Sequence, residues 1–281
     1  IPERLGRRVG GMRLEYAFEE ELLGTLGPLA AAAGVLGESA PFRRVNGDSL
    51  CQWPLRSVVA AHRKASADAT LLLASRADAG EFGGGVTVDS KGRILGFRGG
   101  EPEGTARRGV FAGLHVVSAA LLAGLEVRPS DVVRDLYEPL IARGADIRAV
   151  FTRRRWHDLG TPARYLEGVL DEARFSFVAG RIGLSWRGEG TRVGARARVR
   201  STVMEAGSAV APAARVERSL LMAKARAGRG SVVRDSILGP GVVLAPQSRL
   251  EGRLVTRRTP GVSPRPQDSV VGDLVYSPME P

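Results

Sequence analysis

The sequence contains a single cysteine, Cys51, so an internal disulfide framework is excluded. Aromatic residues make up only 5% of the 281 residues and do not alternate with basic ones, which argues against a protein that stacks single-stranded nucleic acid. Long apolar runs are also missing, because the longest one, residues 22–36, is interrupted by three glycines and a proline. No basic leader with an apolar core and a cleavage site opens the sequence. We therefore expect a cytoplasmic protein that spans no membrane.

The net charge of +11 is unevenly distributed along the chain. Residues 1–174 carry 24 Lys and Arg against 22 Asp and Glu, whereas residues 175–281 carry 17 against 8. Almost all of the cations are arginines, and this preference, together with the abundance of Ala and Gly, indicates a bias in codon composition. Because composition explains much of the basicity, we do not expect nucleic acid as a partner.

Residues 1–174 alternate short apolar runs with helical patterns, which is typical of an α/β domain with a mostly parallel, Rossmann-like sheet. Alternating polarity predicts a strand over Met12–Phe18, and continuous apolar runs predict strands over Ala69–Ala74 and Ile147–Phe151. A helical pattern covers Leu55–Lys64. Thr161-Pro162 pairs an N-cap with a proline at the first helical position and predicts a helix to about Ala173.

A rhythm of six residues replaces the helical pattern after residue 177. Its apolar positions include Val210, Val216 and Met222, then Val232 and Leu238, and apolar pairs recur at steps of 17 or 18. Three sixes make one coil, so residues 175–258 are predicted to form a triangular parallel β-helix. An irregular β-sandwich is the alternative.

The β-helix is expected to present a rigid and repetitive face. We therefore expect self-association through residues 180–255, or use of its arginine-rich surface by an acidic partner. Residues 259–281 contain five prolines and are predicted to be a tail or a loosely held last coil.

Two loop motifs carry candidate chemistry where strands end. Asn46-Gly47-Asp48 follows a buried strand and leaves the carboxylate of Asp48 at the rim, and Asp158 lies between a strand and a capped helix. Together the two carboxylates could hold one Mg²⁺, which takes one or two protein carboxylates plus substrate phosphates. The alternative is that each aspartate only caps a turn or a helix.

Several motifs in this part of the chain occur in the order of a known family. They are Glu21-Leu22-Leu23-Gly24-Thr25-Leu26-Gly27-Pro28-Leu29, Asn46-Gly47-Asp48, Phe82-Gly83, Phe111-Ala112-Gly113-Leu114-His115 and Trp156-His157-Asp158-Leu159-Gly160-Thr161-Pro162. With them, residues 19–170 resemble the sugar-1-phosphate nucleotidyltransferases, and most of all the bacterial mannose-1-phosphate guanylyltransferases, which often carry a C-terminal left-handed β-helix.

The resemblance implies roles for individual residues. Gly24, Thr25 and Gly27 would lie along the nucleoside, Asp48 and Asp158 would hold Mg²⁺, and the backbone of Gly83 would approach the sugar. A loop flanked by glycines lets main-chain groups come close to a base and to phosphates.

The chain also departs from the family pattern. The family opens with a strand and a turn of the form G-x-G-T-R-L, followed by Lys-Pro, and neither is present, so we expect that the first βαβ unit of the sheet lies outside this chain. Many relatives have a Glu-Lys pair on the sugar phosphate where this chain has Phe97 to Gly100, and Arg98 could supply the cation there. Phe111 stands where several relatives have a sugar-binding Asn, which leaves the sugar open.

These observations favour a nucleotidyltransferase that joins a nucleoside triphosphate to a hexose 1-phosphate, giving a nucleotide-sugar and pyrophosphate. A non-catalytic regulatory or scaffold homologue, which binds sugar nucleotide or a partner, is the alternative. An acyltransferase working from the β-helix would need a histidine in a coil, and the sequence has none after His157.

Overall fold

The computed structural model describes residues 1–36, 40–76, 85–99, 104, 106–175 and 185–279. The chain divides into two compact units, Ile1–Trp156 and His157–Pro281. The sequence places a boundary at 174/175 instead, so the helix that ends the predicted α/β domain is grouped here with the second unit. No helix in the described part of the chain is long and apolar enough to cross a membrane.

The first unit combines short helices with a sheet. Its helices are α1 (Pro2–Leu5), α2 (Gly27–Leu36), α3 (Leu55–Ala65) and α4 (Glu138–Ala142), with a 3₁₀ turn at Ala119–Leu122 and a π-helical turn at Val133–Tyr137. Its strands are β1 (Arg8–Val9), β2 (Met12–Arg13), β3 (Phe42–Val45), β4 (Ser49–Cys51), β5 (Ala69–Ala74), β6 (Val86–Val88), β7 (Ile94–Phe97), β8 (Arg107–Val117) and β9 (Ile147–Thr152), and β10 (Trp156–Asp158) spans the division between the units. The prediction of an α/β domain is confirmed.

Strand β5 lies inside the main sheet, whose order is β7-β6-β8-β5-β9, with β3 also pairing with β8. β5 is parallel to β9 and antiparallel to β8, and β3 is antiparallel to β8, so β3, β5 and β9 run in the same direction. All six residues of β5 are buried because both faces of the strand are covered. Leu71 and Leu73 belong to one core cluster, and Leu72 packs with Val58 of α3 in another.

The strand predicted over Met12–Phe18 is wrong in extent. Only Met12 and Arg13 form a strand, which pairs antiparallel with Arg8 and Val9. All four residues are exposed, and Phe18 keeps 83% of its surface accessible. Alternating polarity stabilises a strand only where one face is buried, and within the described residues this segment has no such face.

The second unit consists of helix α5 (Pro162–Phe175) and a β-helix, which confirms the predicted repeat domain. Three parallel ladders form its sides. The first contains β11 (Trp186–Arg187), β14 (Val203–Met204), β17 (Leu220–Leu221), β20 (Ile237–Leu238) and β22 (Arg253–Arg257); the second contains β12 (Arg192–Val193), β15 (Ala209–Val210) and β18 (Arg226–Ala227); the third contains β13 (Arg198–Arg200), β16 (Arg215–Glu217), β19 (Val232–Arg234) and β21 (Arg249–Glu251).

Each coil is 17 residues long, because Trp186 pairs with Val203 and Val203 with Leu220. The strand starts at 186, 192, 198 and 203 give sides of six, six and five residues. The six-residue rhythm therefore loses one residue per coil. Leu221 points into the core where the hexads predict Met222, and Val233 does so where they predict Val232.

The corners of the coils satisfy backbone groups with small hydroxyl side chains. The amide of Thr202 donates to Ser185 Oγ at 3.2 Å, and 34 residues later the amide of Ser236 donates to Ser219 Oγ at 3.3 Å. Ser219 Oγ in turn donates to the carbonyl of Glu217 at 2.7 Å. These buried hydroxyls bond the strand corners of successive coils and leave the inner space to aliphatic side chains.

Helix α5 packs on the outer side of the first ladder. Leu166 and Leu170 form a cluster with Val203, Leu220 and Ile237, which point away from the coil interior. The amphipathic helix thus covers an apolar face that the β-helix alone would expose.

Part of the predicted tail continues the first ladder. β23 (Ser269–Val271) and β24 (Leu274–Pro278) are antiparallel to each other, and β24 is antiparallel to β22. The sheet of the first ladder therefore ends at an antiparallel hairpin.

Candidate functional site

The loop from Asn46 to Asp48 lies at the end of β3 and is held by the neighbouring strand. The amide of Asn46 donates to the carbonyl of Gly113 at 2.8 Å. Gly113 has φ +81°, and a Cβ there would come within 2.9 Å of Ser49 Oγ and 3.0 Å of Asn46 Cβ, so this close approach requires glycine. The glycine predicted from the Phe111–His115 motif thus has a structural reason, which is to let the loop lie against β8.

The loop offers two oxygen atoms that the protein itself does not use. Asn46 Oδ1 is buried and has no hydrogen-bond partner. Asp48 is exposed, and no ion pair is found for its carboxylate within the described residues. Amide and carboxylate oxygens are ligands that Mg²⁺ accepts, so this loop fits one corner of a magnesium site. Among the described residues no group of three or more His, Cys, Asp or Glu is arranged to hold a metal ion, so substrate oxygens would have to complete the shell.

A buried chain of hydrogen bonds lies beside this loop. Arg44 Nη1 donates to His115 Nε2 at 3.2 Å, and His115 Nδ1 then carries the proton and donates to the hydroxyl of Tyr137. Burial, aided by the Arg44 charge, lowers the pKa of His115 to about 3, so the ring is neutral at physiological pH. Burial raises the pKa of the Tyr137 hydroxyl.

Arg44 is a charged residue of this region that the sequence patterns do not single out. Burial lowers the pKa of its guanidinium, and the nearby Tyr137, Asp131 and Asp48 oppose that effect. The guanidinium ion keeps its charge because its ordinary pKa lies far above neutrality. The available signal was an arginine in the middle of an otherwise buried strand, two residues before Asn46.

Asp158 is engaged within its own unit. Its Oδ1 accepts the amide of Gly160 at 2.9 Å, and Oδ2 forms an ion pair with Arg164 of α5. These bonds match the alternative that this aspartate caps the turn before a helix. Asp48 belongs to the first unit and Asp158 to the second, so their sharing of one ion stays a prediction.

The residues predicted to lie along the nucleoside are close together, but they contact the protein. A Cβ on Gly24 would lie 2.6 Å from the carbonyl oxygen of Ser130, and one on Gly27 would lie 2.5 Å from that of Arg128. Thr25 Oγ1 donates to Asp131 Oδ2 at 3.0 Å. Both glycines are therefore needed for packing, and their contact with a nucleotide stays a prediction.

The two residues predicted to bind the sugar cannot be compared directly. Gly83 lies outside the described residues. Arg98 is exposed at the end of β7 with φ +55°, and its amide donates to the carbonyl of Gly85 at 2.9 Å. Its role as a cation for the sugar phosphate stays a prediction.

Comparison with known proteins gives this geometry a family. The model of the family described as Nucleotidyl transferase matches residues 3–174. Mannose-1-phosphate guanyltransferase beta-B of Xenopus laevis is 29% identical over 160 residues, which are 57% of this chain and 44% of that protein. The catalytic subunit beta of mannose-1-phosphate guanylyltransferase of Dictyostelium discoideum is 25% identical over 159 residues, and the probable mannose-1-phosphate guanylyltransferase 2 of Arabidopsis thaliana is 27% identical over 161, each with the same coverage.

The matched region spans less than half the length of these curated relatives. The family match itself covers most of this chain and includes the Asn46–Asp48 loop, the buried network of Arg44 and the turn at Asp158. The chain belongs to the Nucleotidyl transferase family.

Proposed function

We propose that the protein transfers a nucleotidyl group from a nucleoside triphosphate to a hexose 1-phosphate and releases pyrophosphate. The relatives carry the name mannose-1-phosphate guanylyltransferase, which favours GTP and mannose 1-phosphate as the first pair of substrates to test. The observation that carries the proposal is the loop at the end of β3, where Asn46 Oδ1 is buried without a partner and Asp48 is exposed.

The reaction needs charge neutralisation more than proton transfer. A phosphate oxygen of the sugar phosphate would attack the α-phosphorus in line, while the bond from that phosphorus to the bridging oxygen of the β-phosphate breaks and its electron pair leaves with pyrophosphate. The nucleophile is already anionic, so no general base is required. Catalysis then depends on positioning and on cations near the phosphates.

Residues of the chain would supply parts of this environment. Asp48 and Asn46 would hold Mg²⁺, with Asp158 as the second predicted carboxylate, and the ion when bound would neutralise charge on the α-phosphate. Arg44 adds a fixed positive charge beside the loop, and the neutral His115 orients it by accepting its Nη1–H. Arg164 would have to release Asp158 before that carboxylate could bind a cation.

The test measures pyrophosphate release from GTP and mannose 1-phosphate, using the protein with any sequence that its gene encodes ahead of Ile1. Asp48→Asn should lower the rate by about 100-fold or more, because it removes the ligand charge at the metal. Glu126→Gln is the matched control, since Glu126 is exposed and pairs only with Arg128. Unchanged release in the Asp48→Asn protein would contradict the proposal.

A homologue that binds nucleotide-sugar without turnover is the second candidate. The ion pair between Asp158 and Arg164 favours it, because a carboxylate neutralised by arginine is a poor metal ligand. Saturable binding of labelled GDP-mannose without pyrophosphate release, in both the parent and the Arg164→Gln protein, would support this candidate over the first.

Assembly through the β-helix is a separate part of the proposal. The outer sides of the second and third ladders expose arginines such as Arg192, Arg198 and Arg215, so an interface there would be polar. Light scattering should give a mass above that of one chain at high concentration. A monomer at every concentration would contradict self-association through residues 180–255.

A further inference from the structure

The first unit contains a cationic pocket away from the candidate site. Its walls are the last turns of α3 (Ala61, Lys64 and Ala65), the turn between β6 and β7 (Lys91 and Gly92) and Arg148 of β9, and its volume is about 490 Å³. We call it the lysine pocket. Pockets of this size hold small-molecule ligands in other proteins.

The lysines of this pocket are rare in the sequence. The chain has 41 basic residues, of which only Lys64, Lys91 and Lys224 are lysines, and two of these three line the pocket. Neither Lys64 nor Lys91 has an ion-pair partner in the described part of the chain. Arg148 is paired with Asp146 at 2.8 Å, so two ammonium charges remain without a counter-charge. An anion entering the pocket would supply it.

The turn that carries Lys91 is held in place by backbone and side-chain bonds. Asp89 Oδ1 accepts the amides of Lys91 and Arg93, each at 2.8 Å. The amide of Ala149 in β9 donates to the carbonyl of Gly92 at 2.9 Å, so the turn is attached to the sheet. The pocket wall is therefore formed before any ligand binds, which reduces the entropic cost of binding.

The remaining lining selects against a base or a hydrogen-bonded sugar. Besides its three cations the lining consists of Ala, Gly, Val and Thr70, with no aromatic ring to stack on a base. The hydroxyl of Thr70 bonds to His62 Nδ1 at 3.1 Å, and both residues are buried. Recognition in this pocket thus depends on charge, which compact phosphates present at high density.

The pocket is distinct from the Asn46–Asp48 loop. Thr70 pairs with Arg148 near the start of both parallel strands, whereas Asp48 follows the end of β3, which runs in the same direction. Strands β8 and β5 separate β3 from β9 in the sheet. The two locations therefore lie at opposite ends of the strands, two strands apart.

We propose that the lysine pocket binds a compact phosphate-bearing anion, independently of nucleotidyl transfer. Inorganic pyrophosphate is the probe, with inorganic phosphate and succinate as comparisons. Binding should weaken as salt rises, since the attraction is electrostatic and the pocket is open to solvent. Succinate binding as tightly as pyrophosphate would overturn the phosphate preference.

Lysine acylation gives a readout that is specific for the pocket. The 281-residue protein is treated with an amine-acylating reagent without metal or nucleotide, and modification of each lysine is followed by mass spectrometry. At about ten times the dissociation constant, pyrophosphate should slow acylation of Lys64 and Lys91 about tenfold and leave Lys224 unchanged. Equal protection of all three lysines, or of none, would overturn the proposal.

Calorimetry with matched variants supplies the second arm. Lys64→Gln and Lys91→Gln should each raise the dissociation constant for pyrophosphate about tenfold. Lys224→Gln removes the same charge from an exposed turn of the β-helix and should leave it unchanged.

Asp48→Asn separates this site from the proposed reaction. That variant should abolish turnover and keep the protection of Lys64 and Lys91. Loss of the protection in Asp48→Asn would assign the anion to the candidate active site and overturn the lysine pocket.

Discussion

The two units of this chain solve the same burial problem in different ways. In the second unit equivalent core positions recur every 17 residues, so that Met204, Leu221, Leu238 and Val255 are all fully buried at the same place in successive coils. The first unit has no such repeat, and its clusters join residues far apart in the chain, such as Val58 of α3 and Trp156. The difference shows that local repetition can replace long-range specification.

The units also differ in the polar groups that they bury. In the second unit, the buried polar side chains of the described residues are serines and threonines that mostly bond to nearby backbone. The first unit buries His62 and His115, whose charged states burial disfavours. Titratable groups inside the first unit make it sensitive to pH, whereas the hydroxyls of the β-helix do not titrate.

The strongest way to break the comparison is to remove equivalent volume from each core. Leu221→Ala and Leu72→Ala each remove a fully buried leucine and should lower the free energy of unfolding by about 2–5 kcal/mol. In the β-helix the loss of hydrogen-exchange protection should be concentrated in β14, β17 and β20, because each coil contacts only its neighbours. In the first unit the loss should extend across the whole sheet.

Val243→Ala is the control for this experiment. Val243 keeps 57% of its surface exposed, so truncation there should change stability by less than about 0.5 kcal/mol. A uniform loss of protection across the β-helix after Leu221→Ala would show that the repeat does not confine the damage.

Acid should separate the two units by a somewhat smaller amount. The pKa of His115 is about 3 in the folded unit and 6.5 when unfolded, so the unfolded chain binds the extra proton first. The stability from neutral His115 is complete above pH 6.5 and falls as the pH drops toward 3, with a slope of at most about 1.4 kcal/mol per pH unit. Between pH 6.5 and 4.5 the urea midpoint of the first unit should therefore fall more than that of the β-helix.

His62→Gln sharpens the acid experiment. Burial also lowers the pKa of His62, so this variant should reduce the slope of the first unit without abolishing it. Urea midpoints are read for each unit by pulse labelling and mass spectrometry. Equal shifts of both midpoints with pH would contradict the assignment of the acid sensitivity to buried histidines.

The sequence predicted most of the fold because the signals are local. The helix at Leu55–Ala65, the strand at Ala69–Ala74 and the helix that opens at Pro162 agree with the predictions within two residues. The β-helix was recognised from its rhythm, but the five-residue side was missed, since a single short side per coil looks like noise beside the hexads. Met12–Phe18 failed because alternation does not say whether a face is covered.

The candidate site was predicted less completely because it depends on contacts between distant residues. Asp48 could be selected from its position after a strand, but the neighbouring Arg44–His115–Tyr137 network joins β3, β8 and the π-helical turn and has no motif. The engagement of Asp158 by Arg164 depends on the rotamer of one side chain six residues away. Spacing in a sequence carries no information on such choices.

Glycines inside the β-helix give a smaller and sharper test of the repeat. A Cβ on Gly228 would lie 2.4 Å from the carbonyl oxygen of Ala245 in the next coil, so Gly228→Ala should cost about 1–3 kcal/mol by pushing the coils apart. Gly241 has φ +66° and open space around it, so Gly241→Ala should cost only about 1 kcal/mol of backbone strain. Equal losses in the two variants, measured by urea unfolding, would show that coil spacing is not the constraint.

The smallest expected effect concerns the charged surface of the β-helix. Arg257 pairs with Asp273 at 3.0 Å, but both side chains are more than 60% exposed, so Arg257→Gln should change the free energy of unfolding by less than about 0.5 kcal/mol. Thermal unfolding at low and at high salt measures this effect, and a loss above 1 kcal/mol at low salt would contradict it. A negligible loss would mean that this ion pair is not required for folding. The charge of the β-helix, unlike the buried charge of Arg44 in the first unit, would then be available for contacts with other molecules.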